Sequence, residues 1–508
     1  MSFSTAKRAI TYSTDASAIF DTLAQPQDTL LLEAADIESK KNLQCLAILQ
    51  GALKVTCRGQ EVTAKALTPA GDALLEDLRS QFAEREIAAD DRSVTFGFEF
   101  STAVDERERL RDHSTADILR ALQNTELYGS DSLPFLGGGF AFDYLATFEH
   151  LPEVEEGIND YPDYEFVVAE TLLRLDHLNE TAELEGWGID KQQLDAELER
   201  LAELAENPQA PKSAPQLEHL RATASIDDAT FRGQVTELQK NIYNGDIYQV
   251  VPARAFTMDC PSAFAAYRQL RETNPSPYMF YVRGADYELF GASPESNLKF
   301  SPESREVQLY PIAGTRPRGL NPDGSINHEL DIRNELEMRT DTKEVAEHTM
   351  LVDLARNDLA RVAVPQTRRV MDLLQVDRYS RVMHLVSRIA AKLHPDFDAL
   401  DAYRACMNMG TLTGAPKLRA MELIRDVEKQ RRGSYGGAVG YLLGDGAMDN
   451  CIVIRSAFVK EGQAIVQAGA GVVRDSVPQA EADETLHKAY AVLHAIAQAH
   501  GCQLEVQR

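Results

Sequence analysis

The chain has 508 residues, 44% hydrophobic and 26% charged, enough apolar material for a large core and two domains. Its 52 lysines and arginines stand against 79 acidic residues, a formal charge of −27 and a sequence pI near 4.9. That balance speaks against nucleic acid and anionic membranes as partners, which need a basic footprint, but leaves room for a small anion held by local arginines.

The six cysteines, Cys45, Cys57, Cys260, Cys406, Cys451 and Cys502, form no C-x-x-C pair and no Cys/His cluster. Neither zinc nor a disulfide framework is expected. The first twenty residues lack an apolar signal-type run, and no apolar stretch approaches membrane-spanning length. The expected setting is a reducing one, the cytoplasm.

Residues 28–67 alternate apolar runs with short polar breaks, the spacing of a β-meander. Residues 70–88 and 104–123 have helical periodicity and many charges. The stretch 135–144 predicts an apolar strand around Gly137, Gly138 and Gly139, glycines that mark close backbone packing. A strand is expected at 164–176 and a charged helix at 191–206. Residues 207–215 carry three prolines and no long apolar side chain, a linker composition. The expected organisation is therefore a domain at 1–206, a linker at 207–226 and a second domain at 227–508.

Past the linker, 230–244 reads as an amphipathic helix closed by Gly245. Strands are expected at 246–252, 278–283, 287–292 and 306–312, then helices at 341–362, 397–408 and 415–430. Further strands at 435–443, 451–460 and 463–473 precede a last helix to about residue 500. Strands and helices come in blocks, which favours an α+β fold: antiparallel β-sheets in a sandwich-like core with flanking helices.

The stretch Pro311-Ile312-Ala313-Gly314-Thr315-Arg316-Pro317-Arg318-Gly319 predicts a shaped loop. Its peptide N–H groups, hydroxyl and two guanidiniums suit a carboxylate, although an ordinary basic turn has the same make-up. Two helices carry Glu-x-x-Glu, at Glu344/Glu347 and Glu481/Glu484, with both carboxylates of a pair on one face. These are either two solvated acidic faces or, where the helices meet, a site for a hard divalent cation; carboxylates alone favour Mg²⁺ over zinc. Ahead of the second pair, Ser476-Val477-Pro478-Gln479 has a capping-box pattern, and Gly469-Ala470-Gly471 offers backbone donors beside a helix N-terminus. Arg455 ends an apolar strand and needs a salt bridge or a bound anion; Tyr435 lies among glycines. His384 sits alone in an apolar stretch, as a core or a functional histidine, and Glu295 follows Ser293-Pro294 as a loop or helix-start carboxylate. These residues alone amount to a Mg²⁺-assisted site for a small polycarboxylate.

Taken together, the segments 311–319, 347–358, 379–387, 410–417, 435–441, 449–455 and 469–484 resemble the chorismate-utilising enzymes, most closely the anthranilate synthase component I branch. They run in the family's order through nearly all of 227–490. Leu31-Leu32-Glu33 and Asn274-Pro275-Ser276-Pro277-Tyr278-Met279-Phe280 extend a looser match. The resemblance implies Mg²⁺ on Glu347 and Glu484 against the ring carboxylate of chorismate, and the enolpyruvyl carboxylate on Tyr435 and Arg455. Gly314, Thr315 and the Gly469-Ala470-Gly471 backbone would complete the anion pocket. Glu295 would help the 4-hydroxyl leave, His384 would serve pyruvate elimination, and Thr411 would be a pocket hydroxyl.

The implied reaction turns chorismate and ammonia into anthranilate and pyruvate for tryptophan biosynthesis. No Gly-x-Cys-x-Gly elbow is present, so a separate glutamine amidotransferase subunit is expected to deliver the ammonia. The 1–206 domain would be regulatory or partner-binding, with tryptophan as inhibitor between Glu33, Ala34 and Pro277, Tyr278, Met279. Ala34 stands where the family usually has Ser, and Gln44 where Lys is common, so weakened feedback is expected. Ala313 occupies the position where sibling enzymes carry a basic or nucleophilic Lys. Alanine can be neither, which leaves external ammonia as nucleophile and argues against isochorismate, salicylate and aminodeoxychorismate synthesis. Two alternatives stay open: an aminodeoxyisochorismate synthase that stops before pyruvate loss, and a catalytically silent chorismate-binding subunit. His384 argues against the first, and the full set of acids with Arg455 against the second.

Overall fold

In the strand Thr29–Ala35, Leu30 and Leu32 pack to one side while Leu31 packs to the other, the two-residue alternation of a strand buried on both faces. The computed structural model describes residues 2–35, 42–128, 133–321, 325–378 and 382–508. Thr29–Ala35 pairs antiparallel with Asn42–Arg58 and with Tyr278–Arg283. The sheet continues through Tyr287–Ser293, Ser456–Lys460, Gln463–Gly469 and Ala253–Asp259. It ends at Leu220–Ala224, which runs parallel to Leu504–Gln507.

The long strand Asn42–Arg58 also joins Tyr164–Asp176 and so opens a second run: Phe135–Phe140, Ala438–Leu443, Met448–Ile452, Ser296–Ser301, Glu306–Leu309 and Val382–Lys392. Between the two lies an apolar layer containing Ile48, Phe135, Leu172, Phe280, Val439 and Phe458. Helices Ala263–Thr273 and Pro478–Ala499 contribute to a core on one outer side, and Pro69–Gln81, Ala399–Cys406 and Lys417–Glu428 to a core on the other. The architecture is the expected α+β one, antiparallel sheets with flanking helices. No helix among the described residues is long and apolar enough to cross a membrane.

The expected boundary at 207–226 does not separate one sheet from the other. Thr29–Ala35 pairs with Tyr278–Arg283, and Phe135–Phe140 with Ala438–Leu443, so both sheets draw strands from both sides of it. The segment itself contributes the strand Leu220–Ala224. Prolines in a stretch make it a poor helix, but they say nothing about whether its flanks share a sheet. The glycines at 137–139 pack closely, as expected: a Cβ on Gly138 would lie 2.1 Å from the Glu165 carbonyl oxygen.

Three local expectations need correction. The stretch 311–319 is not a loop: Ile312–Pro317 is a strand on Val382–Lys392, with a register shift around Gly314, whose φ of 82° glycine tolerates. The strand expected at 246–252 shrinks to Gln249–Val250, paired with Gly414–Ala415. No capping box forms at Ser476: its hydroxyl accepts from the Val473 N–H, and Gln479 turns its amide toward Asp483. Residues 36–41 of the expected meander, and Tyr379, Ser380 and Arg381 of the resembling segments, lie outside the described residues.

Candidate active site

Glu295 sits in the break between strands Tyr287–Ser293 and Ser296–Ser301, with its backbone N–H bonded to the Ser293 hydroxyl at 3.3 Å. The side chain is buried, and the Thr411 hydroxyl donates to Oε1 at 3.2 Å. Burial pushes the carboxyl up to about 8, against the lowering effect of the Thr411 hydroxyl and the Ile312 N–H. Glu295 therefore carries a proton at neutral pH, as a general acid must.

His384 lies opposite Thr315 in the ladder of Ile312–Pro317 with Val382–Lys392, and a 2.8 Å hydrogen bond joins its Nδ1 to the Thr315 hydroxyl. Arg455 follows the apolar residues Ile452, Val453 and Ile454 and has a φ of 49°, a left-handed conformation unusual for a residue with a side chain. The Ala292 N–H holds its carbonyl at 3.1 Å. Among the described residues nothing hydrogen-bonds or ion-pairs with its guanidinium. Burial lowers its pKa, against the raising influence of Tyr435, Glu484 and Glu295. A desolvated guanidinium without a counter-ion is a built receptor for a carboxylate. Tyr435 is buried next to it, its hydroxyl raised by burial to about 12 and its ring under the Arg432 guanidinium at 5.6 Å.

Helices Thr342–Ala360 and Pro478–Ala499 bring both Glu-x-x-Glu pairs to the same place. Glu344, Glu347, Glu481 and Glu484 line one cavity of about 590 Å³ together with Glu295, His384, Thr411, Tyr435 and Arg455. Gly314, Thr315, Gly469 and Gly471 line it too. Glu344 meets Arg316 at 2.8 Å and Glu484 meets Lys488 at 2.6 Å. Burial, then the charges of Glu344 and Glu484, push Glu347 up to about 7. Repulsion of that kind is relieved by a cation, and oxygen donors from two helices fit Mg²⁺. Among the described residues no group of three or more acidic, His or Cys side chains is placed to hold a metal ion by itself.

Several expectations fail here. Ala470 does not line the cavity; it is fully buried, and its N–H is used by the Pro252 carbonyl at 3.1 Å. Arg316 and Arg318 of the 311–319 stretch do not line the cavity but pair with the carboxylates of Glu344 and Asp331. Gln249 and Lys488, which no motif singled out, line the cavity: Gln249 Nε2 donates to Glu347 Oε1 at 3.2 Å, and Lys488 Nζ to the Gly469 carbonyl at 3.0 Å. The spacing of Glu484 and Lys488, four apart on one helix, was the available signal for the second; Gln249 left none.

A second cavity of about 510 Å³ is lined by Ala34, Gln44, Tyr278 and Met279, with the Tyr278 hydroxyl 3.3 Å from Asp449 Oδ1. Glu33 reaches its wall, but its carboxylate is held by Arg271 at 2.9 Å and by the Tyr267 hydroxyl. Alternation along the strand turns position 33 away from the side that Ala34 shares with Leu32. Pro277 lines the first cavity rather than the second.

Residues 74–494 match the family of chorismate binding enzymes. The chain is 50% identical to anthranilate synthase component 1 of Escherichia coli strain K12, over 97% of this chain and 96% of that one. With the Vibrio cholerae component 1 the identity is 51%, over 96% and 95%. The solved structure of anthranilate synthase component I from Streptococcus pneumoniae TIGR4 superimposes with a TM-score of 0.71 at 29% identity, covering 89% of this chain and 92% of that one. A profile match through most of the sequence, half-identical relatives over almost its whole length and a shared fold lead to one conclusion: the chain belongs to the chorismate binding enzyme family.

Proposed function

We propose that this chain is the large component of an anthranilate synthase, converting chorismate and ammonia to anthranilate and pyruvate. One observation carries the reading. A single cavity holds a guanidinium with no partner among the described residues, a carboxyl kept protonated by burial, and two acidic helix faces. Chorismate has two carboxylates and a hydroxyl that must leave, and those groups answer to them.

Arg455 and Tyr435 bind the enolpyruvyl carboxylate, and the Gly469 and Gly471 backbone closes the pocket around it. Glu347 and Glu484 would hold Mg²⁺, which when bound neutralises and orients the ring carboxylate. Ammonia forms a bond to C2 while the ring double bond shifts and the C4–O bond breaks. The hydroxyl leaves as water with the proton of Glu295, and the new amine keeps its three hydrogens as an ammonium. His384, steadied by Thr315, serves the elimination of pyruvate. Ala313 offers no amine to compete with ammonia.

The same reading assigns the ammonia to a separate glutamine amidotransferase subunit, the pathway to tryptophan, and the second cavity to tryptophan as inhibitor, with Ala34, Tyr278 and Met279 as wall. Six free cysteines suit a reducing compartment, the cytoplasm.

The test is incubation with chorismate, Mg²⁺ and ammonium. Fluorescent anthranilate and an equal amount of pyruvate are expected, with no turnover when glutamine replaces ammonium in the absence of a partner. A non-aromatic amine without pyruvate would mark an aminodeoxyisochorismate synthase, and chorismate bound but unchanged a silent subunit.

A further inference from the structure

The four glutamates of the two Glu-x-x-Glu pairs line the first cavity, and they are not held alike. Glu344 has Arg316 at 2.8 Å and Glu484 has Lys488 at 2.6 Å. Glu347 is met instead by a neutral group, the Nε2 amide of Gln249, at 3.2 Å. An amide orients the carboxylate and leaves the charge in place.

Gln249 is built for that single contact. It is buried, and its other terminal atom, Oε1, has no hydrogen-bond partner among the described residues, none of which otherwise pins the amide. The contact with a carboxylate also settles which end is which, because only the NH₂ end donates. The backbone beneath it is held from both sides. Tyr248 and Val251 donate to the Ala415 and Thr413 carbonyls at 2.7 and 2.9 Å, and Val250 exchanges two bonds with Val472 at 2.8 and 3.1 Å. The donor is thus fixed to the loop that carries Thr411 and to the glycine turn 469–471.

We infer that Gln249 is a positioning residue for the divalent cation: it sets the carboxylate of Glu347 relative to the substrate pocket without neutralising it. The inference rests on the cation reading above. Groups of this kind, one bond removed from a metal, typically account for about 10- to 100-fold in affinity.

The experiment measures Mn²⁺ binding to the metal-free protein by electron paramagnetic resonance, for wild type and Gln249→Met. The expected result is a Kd weaker by about tenfold or more. The melting temperature should hold or rise, because the substitution removes a buried acceptor that lacks a partner. A residue that only supports the fold would give the reverse, lost stability and unchanged affinity, and that outcome overturns the assignment. Gln249→Asn, which keeps the amide but falls short of Glu347, should show the same weakened binding. If both variants fail to fold, Gln249 is a fold-forming residue and the assignment fails. If wild type binds no Mn²⁺, the cation reading itself fails, and the assignment with it; if all three proteins bind alike, only the role of Gln249 is wrong.

Discussion

At the scale of single residues, chemistry follows from who lacks a partner. Against the burial of Glu295 stand the Thr411 hydroxyl, the Ile312 N–H and the charges of Lys488 and Arg455, and its carboxyl still rises to about 8. Replacing it by Gln keeps the shape and removes the acid, so kcat should fall by about 100-fold or more. In wild type, kcat/KM should decline as pH rises through about 8, because the proton that the leaving hydroxyl needs is then lost; Glu295→Gln should lack that limb. The linkage has a matching sign. A buried carboxyl with a raised pKa costs stability progressively from its unfolded value near 4.5 up to about 8. The variant should therefore gain melting temperature over wild type between pH 5 and 8, a readout independent of turnover. Arg455 is the converse case, a half-buried guanidinium with no ion-pair partner among the described residues. Arg455→Met should raise KM for chorismate by about tenfold or more while leaving stability unharmed, since no ion pair among the described residues is broken. Residue types gave away Glu347, Glu484, Arg455 and Glu295 as candidates, because charge in an apolar or paired context needs an explanation. The family resemblance supplied their roles. Gln249 stayed invisible, since an uncharged side chain in a short polar stretch announces nothing until its one contact is seen.

At the scale of elements, most strands and helices were legible because their apolar periods are strong. The helix His328–Thr340 was not, since it buries only Asp331 and Met338 and so has no apolar stripe to read. The strand Ile312–Pro317 reads as a loop in the sequence because its prolines and glycine are turn residues, which a bulged strand tolerates. The glycines of Phe135–Phe140 were read correctly, and the reason is steric. That strand lies between Tyr164–Asp176 and Ala438–Leu443, and a Cβ at Gly138 would strike the Glu165 backbone at 2.1 Å. Gly138→Ala must separate the two strands or bend one, at about 3 kcal/mol by the usual cost of overpacking. Urea denaturation followed by circular dichroism should show that loss. A change below about 0.5 kcal/mol would mean that the sheet has slack there that the close approach denies.

At the scale of the whole molecule, the interleaved sheets put two cavities on one piece of chain. Asn274, Pro275, Ser276 and Pro277 line the first cavity, and the next residues, Tyr278 and Met279, line the second. Tyr278 is also the ladder partner of Ala34, so the N-terminal strand grips the segment at the point where it passes from one cavity to the other. A linker-based division into two domains hid this, because composition cannot report which strands become neighbours. On the proposed reading, tryptophan in the second cavity would have a direct mechanical route to the wall of the first: a ligand that draws Tyr278 toward Ala34 would also move Pro277. Position 34 then sets how firmly the ligand holds. Alanine contributes no hydrogen bond there; a serine would add one, worth about 0.5–1.5 kcal/mol. Ala34→Ser should strengthen tryptophan inhibition by roughly twofold to tenfold, with kcat in the absence of tryptophan unchanged, because residue 34 touches the second cavity and not the first. Inhibition that stays the same, while calorimetry shows tryptophan binding more tightly, would separate occupancy from effect and break the proposed route through Tyr278 and Pro277.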